Sequence, residues 1–564
     1  MAFSLSLIAL VLLASGWLAV TVYRALTHNS IARVRGPPSA SLLLGNVTDT
    51  LYQESVGDVE FKWLRDYGGA WRLKALLGAN ILALADPKAL QHVLQKSAYD
   101  YPKTRQLWVT LYNITGRSIL WAPAGEIHAR HRKVMMPAFS VPQLRSFLPL
   151  FRRSASKLSQ LWKDRILAGR PGGATVEVND WLARTTLDVI GEAAFDFDFG
   201  ALDDTQNELS QAYHNMFADS QLYPSVWNMI FQALWSLMPE PLLYYIRYLP
   251  TREFKRYRST REIMDKFSAE LIKERRRDFV AGDPDKSRKD VMSVLVRANM
   301  SENPKTQLSD EEMRSQMSAM TLAGHETTAN TLTWMLWELA KYPDVQDQLR
   351  AEIAQKRQDI VANGAYDFAL DDFEAMPLLQ AVVKETLRFH PIASYLWRVA
   401  AKDDVIPLEK PIVTETGELI SEIPIAAGQV VMPSLCTYNR LAHVWGEDAH
   451  EWNPTRFLER DTEKETKVGM YANLISFCTL FLRLRDPKLT FLFLFAAAGV
   501  RSCIGWRFSV IEMQAIVVDL VENFRFAIPD DKPEIIRAPT MTMGPMVKGK
   551  MQEGFQMPLH VVPV

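Results

Sequence analysis

One cysteine held between glycines, in Gly499-Val500-Arg501-Ser502-Cys503-Ile504-Gly505, limits what this chain can fold into more than any other stretch. With no second thiol, the loop cannot build a zinc or iron–sulfur centre alone. It can present one thiolate to one face of a haem, where thiolate donation favours O–O cleavage. Gly499 and Gly505 let the backbone turn tightly, so that amides point at the charge on sulfur. Arg501 can reach a haem propionate as a charge-assisted partner. Read in isolation, the loop is equally a turn around an inert buried cysteine.

The chain around it has 564 residues, 48% hydrophobic and 23% charged, with a formal net charge of −1. That is material for a large core, and no Pro/Gly/Ser-rich linker after residue 50 divides it. The near-zero charge argues against a nucleic-acid partner, which calls for clustered basic residues. The three cysteines, Cys436, Cys478 and Cys503, are odd in number and far apart, which argues against a disulfide framework and for a reducing compartment.

Phe3 to Tyr23 carries no charged side chain. At about 1.5 Å per residue, a helix of that length spans the roughly 30 Å of a bilayer core. Arg24, Arg33 and Arg35 follow it, which places the remainder on the cytosolic side. Residues 1–26 are expected to form a membrane anchor, 27–45 a proline-rich hinge and 46–564 the catalytic body. Apolar residues at three- and four-residue spacing predict helices in 91–100, 144–166 and 267–279. Short strands are expected in 71–78, 81–86, 429–435 and 557–564. The aromatic run 221–249 reads as part core, part substrate-access wall dipping into a membrane surface.

Two further patterns matter. In Ala323-Gly324-His325-Glu326-Thr327-Thr328, Ala319, Ala323 and Thr327 share one helical face and leave room for something flat. Gly324 costs a helix about 1 kcal/mol relative to alanine, and local opening around bound oxygen or water would explain it. Glu326 beside Thr327 is an acid beside an alcohol, able to relay protons; the alternative is a small-residue helix contact. His325 falls on another face and is expected to be packed rather than a ligand. In Glu385-Thr386-Leu387-Arg388, acid and base lie at i, i+3, and Arg456 offers a second guanidinium, giving a network that fixes a long loop.

These elements, in this order, resemble those of the cytochromes P450, in a fungal style, over essentially the whole chain. The resemblance implies a mainly α fold with small β-sheets behind an N-terminal transmembrane helix. It implies haem b with Cys503 as the axial iron ligand, Glu326 and Thr327 as the catalytic acid–alcohol pair, and Glu385, Arg388 and Arg456 as a structural triad. His128, where the family usually has tryptophan, with Arg132, Arg398, Arg501, Ala323 and Gly499 would seat the cofactor. Ala319, Met320, Ala393 and Ser394 would border the substrate, together with the 101–121 loop. The implied activity inserts one atom of O2 into a lipophilic substrate. Electrons would come from NADPH through a cytochrome P450 reductase, with cytochrome b5 a further candidate partner. Arg130 and Lys133 are candidates for docking the reductase, and the expected location is the endoplasmic reticulum membrane, single-pass, with the body in the cytosol. A haem-thiolate isomerase or dehydratase that needs no reductase is the rival, and the Glu326–Thr327 pair argues against it.

One departure stands out. The family pattern wants an aromatic residue where Ala496 stands, and Phe477 would fill that place if the 19 residues 478–496 were absent. That segment is rich in Leu and Phe, broken by Arg483, Arg485, Asp486 and Lys488, and reads as a translated, unspliced intron of whole codons. An apolar insert without a partner is an aggregation liability. The expectation is poor haem retention in the 564-residue form, or an inactive product, with recovery on deletion.

Overall fold

The computed structural model describes residues 15–16, 30–39, 41, 43–203, 208, 213, 222–235, 238–281, 289–303, 306–459, 468, 471–477 and 500–564. The expected anchor, apart from Ser15 and Gly16, lies outside them, as do Gly499 and the whole of 478–496. Among the described residues no helix is long and apolar enough to cross a membrane.

The body is mainly helical. In chain order the helices used below are α1 (Asp58–Tyr67), α2 (Arg105–Thr115), α3 (Glu126–Met135), α4 (Val141–Leu161), α5 (Val178–Phe195), α6 (Arg252–Ala281), α7 (Asp310–Lys341), α8 (Pro343–Ala362), α9 (Pro377–Phe389) and α10 (Trp506–Asn523). The expected helix at 144–166 is α4 with a π-turn, Trp162–Ile166, at its end. The one at 267–279 is the C-terminal half of α6. The one at 91–100 starts earlier, at Pro87, and ends in the π-turn His92–Lys96.

Helix α7 organises the rest. Ser309 caps it, accepting from Glu312 N while the Glu312 side chain accepts from Ser309 N. Asp310, Glu311 and Glu312 in the first turn and Lys341 in the last complement its dipole. Its 32 residues are buried on nearly every side, as befits a helix through a core rather than on a surface. It packs most extensively on α5, and α10 packs on α4. Gly324 is explained by that packing: a Cβ there would stand 2.7 Å from the Ile190 Cδ1 of α5. Close helix approach, not local opening around oxygen, accounts for the glycine.

Strand β1 (Ala70–Lys74) pairs antiparallel with β2 (Asn80–Leu84), the first two strands expected from sequence. Further strands are β3 (Ala174–Glu177), β4 (Arg398–Val399), the hairpin β5 (Asp404–Val413) and β6 (Leu419–Ile425), then β7 (Val430–Pro433). Strand β7 lies parallel to β2 and antiparallel to β4, so one sheet carries the order β1-β2-β7-β4. At the C-terminal end come β8 (Phe524–Ala527), β9 (Ile535–Arg537), β10 (Pro545–Val547) and β11 (Pro558–Pro563). Strand β11 joins β3 to β8 and ties the chain's end to its first third. Within 27–45, Ile31 and Val34 are buried in the main core, and Val34 bridges Thr414.

Candidate active site

Helix α9 brings the first set of charges together. Arg388 donates through Nε and Nη2 to both oxygens of Glu385, each at 2.7 Å. Its Nη1 reaches the carbonyls of Asn439 at 2.6 Å and Ala449 at 2.7 Å, and Nη2 also reaches that of Glu451 at 2.8 Å. Arg456 Nε donates to Glu385 Oε1 at 3.3 Å and its Nη atoms grip Asp448 at 2.7 Å. Glu385 and Arg388 are fully buried. Acid and base match and their remaining valences go to carbonyls, so the network pins residues 439–456 onto α9.

The second set is built differently. Lys103 precedes α2, His128 and Arg132 lie on α3, Arg398 on β4, and Arg501 in the cysteine loop. Lys103 and Arg398 share a β-bridge. Burial, and then the charges of Arg501 and Arg398, hold the Lys103 ammonium well below its ordinary pKa. Burial and the charges of Arg501, Lys103 and Arg132 pull His128 down to about 3, so the ring is neutral at pH 7. Burial and Arg398 bring even Arg501 down to about 10. Among the described residues no carboxylate acts on any of these three, and the Nε and Nη2 of Arg501 are buried without a hydrogen-bond partner. Tyr99 is the nearest relief: its hydroxyl meets His128 Nδ1 at 3.3 Å and its ring lies under Arg501. A concentration of buried cations with no acid calls for an anion brought by something else.

Cys503 adjoins that cluster. Arg132 donates to Ser502 O and Ser502 Oγ, each at 2.6 Å. Burial in the fold raises the Cys503 thiol's pKa, while the Gly505 N–H and Arg132 act the other way. The side chain nonetheless presents exposed surface, with Ser502 buried beside it. On α7, Ala323 is likewise exposed although Leu322, His325 and Glu326 around it are buried. Surface laid bare on a thiol loop and at the middle of a core helix, next to cations lacking anions, fits a flat, anionic, metal-bearing macrocycle. The donor set suits a haem: one thiolate for iron, and guanidinium and ammonium groups for propionates.

Glu326 and Thr327 are neighbours in sequence, but the structure does not bond them to each other. Thr327 Oγ1 donates to Ala323 O at 2.8 Å, and Glu326 Oε1 accepts from Thr542 Oγ1 at 3.0 Å. Burial raises the Glu326 pKa to about 8, against the pull of Thr542 and Arg256, so the acid keeps its proton at neutral pH. His325 is packed as expected, with Nδ1 2.7 Å from Thr321 O and its ring edge-on to Tyr213. Ala319 and Met320 are buried on α7, Ala393 is half-buried, and Ser394 is buried with its carbonyl accepting from Leu435 N and Cys436 N.

Between α2 and the 240–249 segment stands an aromatic cluster that sequence reading placed only as separate walls. Tyr244 is edge-on to Trp108 (5.5 Å between centroids) and to Tyr112 (4.7 Å), and Trp121 closes the group. In the run 221–249, Met229, Trp235, Leu243 and Ile246 are buried, which is the expected core part, while Trp227, Leu242, Tyr245 and Tyr248 are exposed. Of the two reductase-docking candidates, Arg130 is committed internally, bonding Gln307 O and Glu312. Lys133 is exposed and pairs with Glu302 at 2.7 Å. Lys103, Thr542 and Tyr244 were missed individually; a lone lysine, threonine or tyrosine carries no periodic signal, and each acts through a residue distant in the chain.

A family model described as cytochrome P450 matches residues 35–552. Among curated proteins, the chain is 31% identical to cytochrome P450 monooxygenase 205 of Postia placenta, covering 97% of this chain and 95% of that one. It is 34% identical to a ganoderic acid synthetase of Ganoderma lucidum, over 90% of each. It is 30% identical to the cytochrome P450 monooxygenase claQ of Ampulloclitocybe clavipes, over 94% and 92%.

Proposed function

The chain belongs to the cytochrome P450 family of oxidoreductases, and from that premise we propose that it is a haem-thiolate monooxygenase acting on a lipophilic substrate, with electrons from NADPH delivered by a separate flavoprotein reductase. The observation that carries this reading is the gathering of Lys103, His128, Arg132, Arg398 and Arg501 beside the exposed Cys503, with no carboxylate among the described residues acting on Lys103, His128 or Arg501. Bound there, haem b supplies the iron on which O2 is activated, and its thiolate ligand favours O–O cleavage. Cys503 Sγ provides that ligand, with Arg132 stabilising its negative charge. Arg398, Arg501 and Lys103 take up the propionates, and neutral His128 adds a hydrogen bond without adding charge. Glu326 stores a proton, and Thr327, on the exposed stripe below Ala323, hands it on by giving up its bond to Ala323 O. Ala319, Met320, Ala393 and Ser394 border the substrate, which enters past Trp108, Tyr112, Trp121 and Tyr244.

The location follows from two features. Residues 3–23 supply a single-pass anchor in the endoplasmic reticulum membrane, and exposed Trp227, Leu242, Tyr245 and Tyr248 rest the access side on the bilayer surface. Lys133, not Arg130, is the α3 cation left for the reductase or cytochrome b5.

The segment 478–496 is read as a retained intron. Cys503 N donates to Phe477 O at 3.1 Å, so the chain ahead of the segment already meets the thiol loop. Deleting 478–496 leaves residues 497–502 to close that hydrogen-bonded turn, which supports a thiol loop that does not need the segment.

The test is a carbon-monoxide difference spectrum of the reduced protein, for the full chain and the 478–496 deletion. A strongly red-shifted Soret band is expected from the shorter form, with more haem than the full chain retains; equal haem in both forms counts against the retained-intron reading. Absence of the band from both forms refutes thiolate ligation. Haem lost on deletion would make the segment a working part of the protein. Oxygen-dependent NADPH consumption with purified reductase then separates a monooxygenase from a peroxide-using isomerase.

A further inference from the structure

Thr542 belongs to none of the motifs above, yet among the described residues it makes the one side-chain hydrogen bond that Glu326 receives. It sits in the turn between β9 and β10, and that turn is held on every side. Ala538 N donates to Gly544 O at 2.9 Å across its base, and Thr540 Oγ1 donates to Thr542 O at 2.5 Å. The next residue, Met543, donates through N to Ile392 O at 2.8 Å, and its carbonyl accepts from Trp334 Nε1 of α7 at 3.3 Å. A Cβ on Gly544 would meet the Phe555 ring at 2.6 Å, so the turn also lies flat on its own sheet's end. The hydroxyl of Thr542 is therefore presented to α7 from a fixed scaffold.

We propose that Thr542 is the positioning residue for the proton-relay acid: by donating to Oε1 of Glu326 it fixes which carboxyl oxygen carries the transferable proton and where that oxygen stands. An oxygen that accepts a hydroxyl's hydrogen bond is the carbonyl oxygen of a neutral acid. The proton then rests on Oε2, which is buried with no hydrogen-bond partner among the described residues. Transfer moves that proton off Oε2 to the Thr327 hydroxyl as that hydroxyl passes its own proton on toward the haem side, and leaves a carboxylate. The carboxylate keeps the Thr542 hydrogen bond and feels the charge of Arg256 from α6, the one charged side chain among the described residues that acts on it; a proton from solvent restores the acid. Because Met543 bonds Ile392 in the pocket-bordering segment, the same turn links the seat of the substrate to the aim of the acid.

This rests on the monooxygenase reading for its purpose but not for its geometry, so the test has two independent arms. Infrared spectroscopy of the ferric enzyme and of the apoprotein follows the carboxylic C=O stretch assigned by its loss in Glu326→Gln. In Thr542→Val that band moves to higher frequency, because its carbonyl has lost a donor. Its titration midpoint rises by about one pH unit, since the lost bond favours the ionised form and is worth about 1 kcal/mol. Thr542→Ser restores both, and Thr542→Ala removes the same donor should the valine not fold. In turnover with reductase, the share of electrons lost as peroxide rises several-fold in the valine variant and returns with serine. A band and midpoint unmoved in both donor-less variants overturn the contact. A moved band with an unchanged peroxide share overturns the positioning role. Failure of every form, including the parent, to oxidise NADPH in an oxygen-dependent way sinks the monooxygenase reading and with it that role, while the infrared arm still decides the contact.

Discussion

Two groups of buried arginines sit in this protein and do opposite things. Around Glu385, the guanidinium groups of Arg388 and Arg456 share one carboxylate, and Arg388 spends its remaining N–H groups on the carbonyls of Asn439, Ala449 and Glu451. Around Arg501 gather Lys103, Arg132, Arg398 and the neutral ring of His128; among the described residues no acid acts on Lys103, His128 or Arg501, and two buried nitrogens of Arg501 find no hydrogen-bond partner. The first is fully buried at Glu385 and Arg388 and the second only partly so at Lys103, Arg132 and Arg501; the difference that matters is whether the described residues supply the counter-charge. A satisfied cluster is architecture. An unsatisfied one is a seat for something anionic, and the apoprotein bears the repulsion.

The largest effect tests the first half of that contrast. Glu385→Ala leaves the buried Arg388 without its carboxylate and Arg456 with Asp448 alone, a change that typically costs about 3–5 kcal/mol out of a total stability of roughly 5–15 kcal/mol. The urea midpoint of the apoprotein should collapse and little folded holoenzyme should be recovered. An apoprotein as stable as the parent would erase the distinction between the clusters.

Arg501→Gln probes the other half, and its sign should differ. Removing one of several mutually repelling cations leaves the apoprotein midpoint unchanged or higher. Haem affinity falls by about 10- to 100-fold, the worth of a charge-assisted hydrogen bond at roughly 1.5–3 kcal/mol, read by titrating haem into apoprotein. Destabilisation like that of Glu385→Ala would mean both clusters are structural. Lys103→Met sharpens the point with a smaller expected change. Its ammonium is held well below its usual pKa by burial and by Arg501 and Arg398. The apoprotein should therefore gain stability, while haem affinity drops less than for Arg501→Gln.

How far each cluster could be read in sequence follows from how local it is. Glu385 and Arg388 are one helical turn apart, and the cysteine loop is a contiguous heptapeptide, so both were legible. Lys103 became part of the seat only because its bridge to Arg398 carries it there, and nothing in Tyr101-Pro102-Lys103-Thr104 announces that. Gly324 was visible but misread: the sequence shows that a small residue is needed, not whether its neighbour is a cofactor or the Ile190 side chain. Helix α7 was legible as a helix because Glu312 and Ser309 cap it locally. The hairpin β5–β6 went unnoticed because apolar Val405, Val413 and Leu419 stand on its exposed positions and its pairing shifts register between Pro407 and Ile412, which blurs the alternation a sequence reading depends on.

The smallest effect comes from a group that fits neither cluster. Glu326 is buried like the arginines, but it escapes the cost of an unpaired charge by keeping its proton, with a pKa raised from 4.5 to about 8. Between those two values the folded protein holds a proton that the unfolded chain has released. Stability therefore falls as pH rises through that window: the contribution is complete below pH 4.5 and gone above about 8. Glu326→Gln keeps the shape, cannot ionise, and should flatten that part of the slope in apoprotein urea midpoints taken from pH 5 to 8.5. Glu60 and Glu177, each raised to about 7 by burial, titrate in the same range and stay in place, so the variant's curve keeps a reduced slope rather than becoming level. Curves for parent and variant that run parallel would show that Glu326 is already ionised in the fold, and the contrast between charges paired, charges stranded and charges avoided would lose its third member.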